Sequence, residues 1–240
     1  NDPRHYLAGF PWHPHRGIET ITYVINGHVE HGDSLGNKGI ISAGDVQWMT
    51  AGSGIIHQEM PKGDETQRMG GFQLWANLPA SQKMTDPRYR DVESDQIPVI
   101  EEENGTIIRI VCGKLAGKQG PVEDISIDPQ YIDVTVPPHS EFVHTTIRGH
   151  TVFAYVIKGN GFFGMSQDAK MGNETLVLFE DGDRIRVSTH SEPIRFLLIS
   201  GKPLKEPVAW QGPIVMNTQV ELQLAFEEYQ QGKFIKHVRS

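Results

Sequence analysis

Two short stretches hold the residues best able to do chemistry: His13-Pro14-His15-Arg16-Gly17-Ile18-Glu19-Thr20 and Gly54-Ile55-Ile56-His57-Gln58-Glu59-Met60. On a β-strand successive side chains alternate between faces, so His13 and His15 point the same way, as do His57 and Glu59. If both stretches are strands, they bring three imidazoles and one carboxylate to one point. That donor set suits a borderline divalent ion; a closed structural zinc site more often uses thiolates, and the single cysteine, Cys112, cannot supply them. Four protein ligands on an octahedral ion leave two positions open, which fits iron(II) binding a chelating substrate, dioxygen or both. Glu19 shares the parity of His13 and His15. It is either a fifth candidate ligand or, as preferred here, an acceptor in the second shell that orients an imidazole N–H. The competing reading is that these are ordinary histidines, since the chain has 11. That plain reading is taken for His5, His28, His31, His139, His144, His150, His190 and His237. Two His-x-(His/Glu) pairs on separate strands are harder to reach by chance.

The elements that must position these groups read as β. Residues 19–58 alternate in short runs punctuated by glycine: Thr20 to Ile25, a turn at Asn26-Gly27, then His28 to His31, with further turn signals at Gly32-Asp33, Gly36-Asn37 and Ala43-Gly44-Asp45. This spacing favours an all-β sandwich or barrel. From Leu78 to about Gly105 the pattern gives way to proline and charge, the expected crossover between two halves, with one helical turn around Ser81 to Met84. Strand-like runs resume at Ile107–Val111, Tyr131–Val136 and Ile194–Ile199. After Pro213 the signal turns helical: Thr218 and Glu221 form a capping-box pattern, Leu222, Ala225, Phe226 and Tyr229 follow helical spacing, and Gly232 with Lys233 closes it.

The second half echoes the first. Thr22-Tyr23-Val24-Ile25-Asn26-Gly27 recurs as Ala154-Tyr155-Val156-Ile157-Lys158-Gly159, and Ala43-Gly44-Asp45-Val46 as Asp181-Gly182-Asp183-Arg184. Sliding the halves by these offsets places Thr145 and Ile147 opposite His13 and His15, and Arg195 and Leu197 opposite His57 and Glu59. The second copy is therefore expected to keep the scaffold and lose the metal.

Composition narrows the function classes. At 240 residues the chain can bury a sizeable core in one large or two small domains. A net charge of −8 with no Lys/Arg run argues against nucleic-acid binding. No apolar stretch approaches the roughly 20 residues needed to span a membrane. One cysteine excludes an internal disulfide framework and fits a reducing compartment, so a cytoplasmic location is expected, or a nuclear one in a eukaryote; Cys112 itself is expected to be a buried, inert thiol. The chain opens at Asn1-Asp2-Pro3 without methionine, so residues before Asn1 are expected to be missing.

Four segments together resemble the pirin family of the cupin superfamily: His13 to Thr20; the run from Gly44-Asp45-Val46-Gln47-Trp48 to His57-Gln58-Glu59-Met60-Pro61; Gln73-Leu74-Trp75-Ala76-Asn77-Leu78; and Gly212-Pro213-Ile214-Val215-Met216-Asn217-Thr218. The resemblance implies two tandem, jelly-roll-like cupin β-barrels with a C-terminal helix. The expected division is a metal-binding barrel over residues 1–118 and a metal-free barrel plus the helix over residues 119–240. Carried over position by position, it implies metal ligands at His13, His15, His57 and Glu59. The general cupin pattern would instead put the carboxylate at Glu19. The implied ion is Fe(II), with nickel, manganese, copper and zinc as alternatives. The implied activity is a quercetinase-like dioxygenase, with a flavonol and dioxygen as partners and Glu59 also accepting the substrate proton. The alternative it implies is a metal- or redox-responsive regulator that binds a transcription factor or a metabolic enzyme.

Overall fold

The expected alternation forms antiparallel strands: β1 (Phe10–His15), β2 (Ile18–Asn26), β3 (His28–Asp33), β4 (Lys38–Ser42), β5 (Val46–Thr50), β6 (Ile55–Lys62), β7 (Gly70–Asn77) and β8 (Arg88–Val92). The computed structural model describes residues 2–165 and 169–236, and His237 lies outside them. The eight strands make two four-stranded sheets, ordered β1-β6-β3-β4 and β7-β2-β5-β8. Apolar residues from both, among them Ile18, Met49 and Ile55 and, separately, Val24, Val29 and Ile41, are buried in small clusters. Such clusters supply the non-directional drive that closes the sheets over the polar interior. A 3-10 turn at Ala80–Gln82 falls where the helical turn was expected.

Strand β8 lies inside the stretch read as a crossover. It pairs with β5 in the register Trp48↔Arg90 at the edge of its sheet. Edge strands carry charge and little apolar patterning, and Arg88-Tyr89-Arg90-Asp91 accordingly reads like a linker.

The chain divides into two compact units, residues 1–94 with 205–240, and residues 95–204. This grouping by packing differs from the expected division at residue 118, which kept the helix with the second half. The hairpin Ala209–Gln211/Ile214–Met216 returns to the first strands through the parallel bridge Arg16↔Ile214. The helix Gln219–Gln230 has the expected capping box between Thr218 and Glu221. It buries Leu222 and Ala225 against Ala209, Ile214, Met216 and Phe234. Such pairing across the whole length of the chain leaves no local signal in the sequence.

In the second unit the expected strands at Ile107–Cys112, Gln130–Val136 and Ile194–Gly201 are present, the repeated segment Ala154–Ile157 lies in the strand Thr151–Phe163, and Glu141–Thr145, Leu176–Leu178 and Arg184–Ser188 are among those added. Its core gathers Ile110, Ile132, Val134, Val156, Phe196 and Leu198. The register Tyr155↔Leu176 matches Tyr23↔Val46 of the first unit. By topology, Leu176–Leu178 is the counterpart of β5, Arg184–Ser188 that of β6 and Glu141–Thr145 that of β1. Matching Gly44 to Gly182 therefore skipped one strand. The residues on the β1- and β6-like pair are Phe142↔Val187 and His144↔Ile185, whereas Arg195 and Leu197 lie on the counterpart of β7. Among the described residues, no group able to hold a metal occurs in this unit. No helix among them is long and apolar enough to cross a membrane.

Candidate metal centre

β1 and β6 are neighbours, and His13 lies directly across from His57. An irregularity in the register between Phe10 and His13 bends β1 just before the histidines. His15 follows two positions later on the same face, opposite Ile55. The result is one cluster in which a ring nitrogen from each of His13, His15 and His57 lies within 4.8 Å of the others. His15 and His57 are buried, at 1% exposure each, and His13 is partly exposed.

The hydrogen bonds around the rings decide what the cluster can accept. His13 Nδ1 lies 2.8 Å from the carbonyl oxygen of Pro11, and His15 Nδ1 lies 3.1 Å from that of Pro213. A carbonyl only accepts, so each Nδ1 carries the proton and each Nε2 presents a lone pair. These two Nε2 atoms face each other at 3.1 Å. His57 is buried beside them, and neither of its ring nitrogens has a hydrogen-bond partner among the described residues. Two lone pairs aimed at one point, with a third imidazole left unpaired, fit a cation bound by nitrogen. Burial, reinforced by the electrostatic effect of the neighbouring His13 imidazole, pulls the pKa of His15 down to about 4. The same causes, with His15 and His31 added, bring His57 to about 2. Both rings are therefore neutral at pH 7, the form that ligates metals.

Glu59 continues the face of His57 along β6. Its Oε2 lies 4.0 Å from His57 Nε2, and the residue is 4% exposed. Thr22 Oγ1 donates to its Oε1 at 3.2 Å, and the Gln73 side-chain amide donates to Oε1 at 2.9 Å and Oε2 at 2.8 Å. Trp75 Nε1 donates to Gln73 Oε1 at 3.0 Å, and its ring meets His15 edge-on, 5.1 Å between centroids. In the sequence Thr22 belongs to a repeat and Gln73 and Trp75 to a family-like segment, none of them with an expected role at the site. Polar Gln73 alternating with Leu74 on β7, the neighbour of β2, was the signal available.

Glu19 does not take the role expected of it. Its carboxylate accepts a hydrogen bond from Thr50 Oγ1 at 2.7 Å, and it lies on the face of β2 opposite Thr22, which serves Glu59. Strand parity fails between His15 and Glu19 because the chain turns at Gly17, whose φ is +78°. Of the histidines read as ordinary, His31 accepts from the Gln47 amide at 3.0 Å and His144 donates to Gln130 Oε1 at 2.5 Å.

Three further residues brace the ligand strand. The Arg16 guanidinium, 2% exposed, donates to the carbonyls of Ser53 at 2.6 Å and Phe234 at 2.9 Å and pairs with Glu228 at 2.8 Å. The Lys83 ammonium donates to the carbonyls of Gly17 and Val215 and to Asn77 Oδ1, at 2.7–2.9 Å. A Cβ at Gly17 would run into the carbonyl oxygen of Val215.

Comparison with known proteins agrees with this geometry. Residues 1–76 match the Pirin family, and residues 131–235 match the Pirin C-terminal cupin domain. Pirin-1 of Arabidopsis thaliana is 44% identical over 94% of this chain and 78% of its own length. The solved quercetin 2,3-dioxygenase of Acinetobacter baumannii superposes with a TM-score of 0.86 at 34% identity, over 94% of this chain and 79% of that one. The bacterial pirin YhhW of Escherichia coli, solved in complex with nickel(II), gives a TM-score of 0.64 at 27% identity over 81% of this chain and 77% of that one. With matches to both family regions and so close a relative over nearly its full length, the chain belongs to the pirin family of two-domain cupin proteins.

Proposed function

We propose that this chain is a metal-dependent dioxygenase of the quercetinase type, opening a flavonol ring with dioxygen and releasing carbon monoxide. His13, His15, His57 and Glu59 would hold the ion, iron(II) first among the divalent metals. The observation that carries this reading is the pair of Nε2 lone pairs facing each other at 3.1 Å beside the unpartnered ring of His57. When bound, such an ion supplies a Lewis-acid centre that acidifies a chelating hydroxyl and, if redox-active, assists dioxygen.

The rest of the work falls to the side chains. Carbonyls of Pro11 and Pro213 fix the tautomers of His13 and His15, so neither ring has to reorient. Glu59 takes the proton of the flavonol hydroxyl at its carboxylate, and Thr22 and Gln73 hold that carboxylate in place while it does so. Trp75, 38% exposed, offers an aromatic edge at the mouth of the site against which a flat substrate can pack. The names of the A. baumannii structure and of Pirin-1 point respectively to the activity and to the wider family.

The test is turnover of quercetin under oxygen by protein loaded with iron(II) or nickel(II), read as substrate loss and carbon monoxide release. Activity in the wild type that disappears in His57→Ala supports the reading. No turnover at high enzyme loading with either metal overturns it.

A second reading, a metal-responsive regulator, draws on the exposed Leu7, Phe10 and Trp12 at and before the ligand strand, 52–60% exposed. It would be favoured by a stable protein partner whose affinity changes between iron(II)- and iron(III)-loaded forms while quercetin is not consumed.

A further inference from the structure

Trp75 touches both sides of the cluster, its ring against His15 and its N–H on the amide that holds Glu59. We propose that Trp75 and Gln73 are positioning residues that set the ligating pose of Glu59, an inference that rests on the ligand assignment above.

The argument begins with the amide. A glutamine side chain can face either way, and its two orientations differ only in which end donates. The indole N–H is a donor only, so it demands the oxygen of Gln73 and thereby turns the NH2 group toward Glu59. A flipped amide would set oxygen against carboxylate and NH2 against indole N–H, repulsive contacts in place of the hydrogen bonds on both sides. Gln73 and Trp75 sit two apart on β7 and so share a face, which is why one residue can orient the other.

The carboxylate is held asymmetrically. Oε1 accepts from both Thr22 and Gln73, whereas Oε2 accepts from Gln73 alone. Oε2 is also the oxygen 4.0 Å from His57 Nε2. The less-occupied oxygen is therefore turned toward the imidazoles: Thr22 engages Oε1 alone, and Gln73, which holds both carboxylate oxygens and also donates to Thr22 Oγ1 at 3.1 Å, fixes carboxylate and hydroxyl together, with Trp75 acting through it. Partners of this kind orient a ligand without touching the ion, and losing one weakens metal binding by roughly 10–100-fold.

The test uses cobalt(II), whose visible spectrum reports its ligand set, titrated into the full chain. Wild type is compared with Glu59→Gln, Gln73→Met and Trp75→Phe. Trp75→Phe keeps an aromatic ring against His15 and removes only the N–H, so it decides the matter should Gln73→Met fold poorly by circular dichroism. The expected result is about 10-fold or greater weakening in Gln73→Met and a smaller loss in Trp75→Phe. Both spectra should shift toward that of Glu59→Gln. Wild-type affinity and spectrum in both variants, with Glu59→Gln changed, would overturn the positioning role and leave the ligand assignment standing. A Glu59→Gln variant indistinguishable from wild type would remove the ligand assignment itself, and the positioning role with it.

Discussion

His15 Nδ1 donates to the carbonyl oxygen of Pro213 across 3.1 Å, although 198 positions separate them in the chain. One wall of the candidate centre is thus built by the C-terminal segment, and the next residue, Arg16, fastens the same segment through Phe234 and Glu228. Replacing Arg16 by alanine leaves two carbonyls and a carboxylate without their donor in a buried place. Glu228 keeps Lys236 at 2.6 Å, which limits the damage. Arg16→Ala is expected to lower the stability of the first unit by about 3 kcal/mol in urea unfolding. Arg16→Lys is expected to recover less than half, because an ammonium cannot reproduce the planar fork that reaches three partners and lies 4.3 Å from the Phe234 ring centre. Wild-type stability in Arg16→Ala would show that the brace is idle.

Gly17 makes a second, sharper prediction. Its φ of +78° is costly for any residue with a Cβ, and the Val215 carbonyl occupies the place a Cβ would take. That carbonyl is also an acceptor for Lys83, so it cannot move aside without breaking a buried hydrogen bond. Gly17→Ala should therefore cost clearly more than the roughly 1 kcal/mol of the backbone term alone. It should also weaken metal binding, since His15 is two residues away. A melting temperature within a degree of wild type would contradict the close packing described.

The contrast between what the sequence disclosed and what it hid follows from the range of the interactions. His13 with His15, and His57 with Glu59, were legible because strand parity is a local rule that holds within one element. Glu19 was misread because the same rule was carried through the turn at Gly17, where it stops applying. The helix and its capping box were legible for the same local reason, but its place beside the first unit depends on the bridge Arg16↔Ile214, which leaves no local trace. The internal repeat was real at Tyr23 and Tyr155, and it slipped where glycine-aspartate turns, common in any β protein, were matched without strand pairing to check them.

The second unit gives a pH prediction independent of the metal. His144 is buried on Glu141–Thr145 and donates to Gln130, and burial brings its pKa to about 4 from 6.5. Between these values the unfolded chain binds a proton that the folded chain refuses. The stability His144 confers is thus fully present above pH 6.5 and is lost as pH falls toward 4. The size is on the order of 3 kcal/mol at full shift. His144→Leu should flatten the fall in urea-unfolding stability between pH 6.5 and 4 by about one proton relative to wild type. An unchanged slope would mean that this ring is protonated in the fold.

His57 offers the most discriminating substitution, because a ligand and a structural histidine predict opposite outcomes. A histidine kept for packing would hydrogen-bond in its pocket, and removing it would destabilise the metal-free protein. His57 is 1% exposed and neither of its ring nitrogens has a hydrogen-bond partner among the described residues, so burying it carries an uncompensated desolvation penalty. His57→Leu replaces that imidazole with an apolar group of similar bulk and should leave the metal-free protein as stable as wild type or more so. Nickel(II) at about 100 times its Kd should stabilise the wild type by about 2.7 kcal/mol. For a chain of this size that corresponds to a rise in Tm of about 5–10 °C. The same nickel should leave His57→Leu unmoved, and stripping the ion from the wild type with a chelator should reverse the shift. A metal-free variant that melts well below wild type would make His57 a packing residue, and an undiminished nickel shift in the variant would place the ion elsewhere.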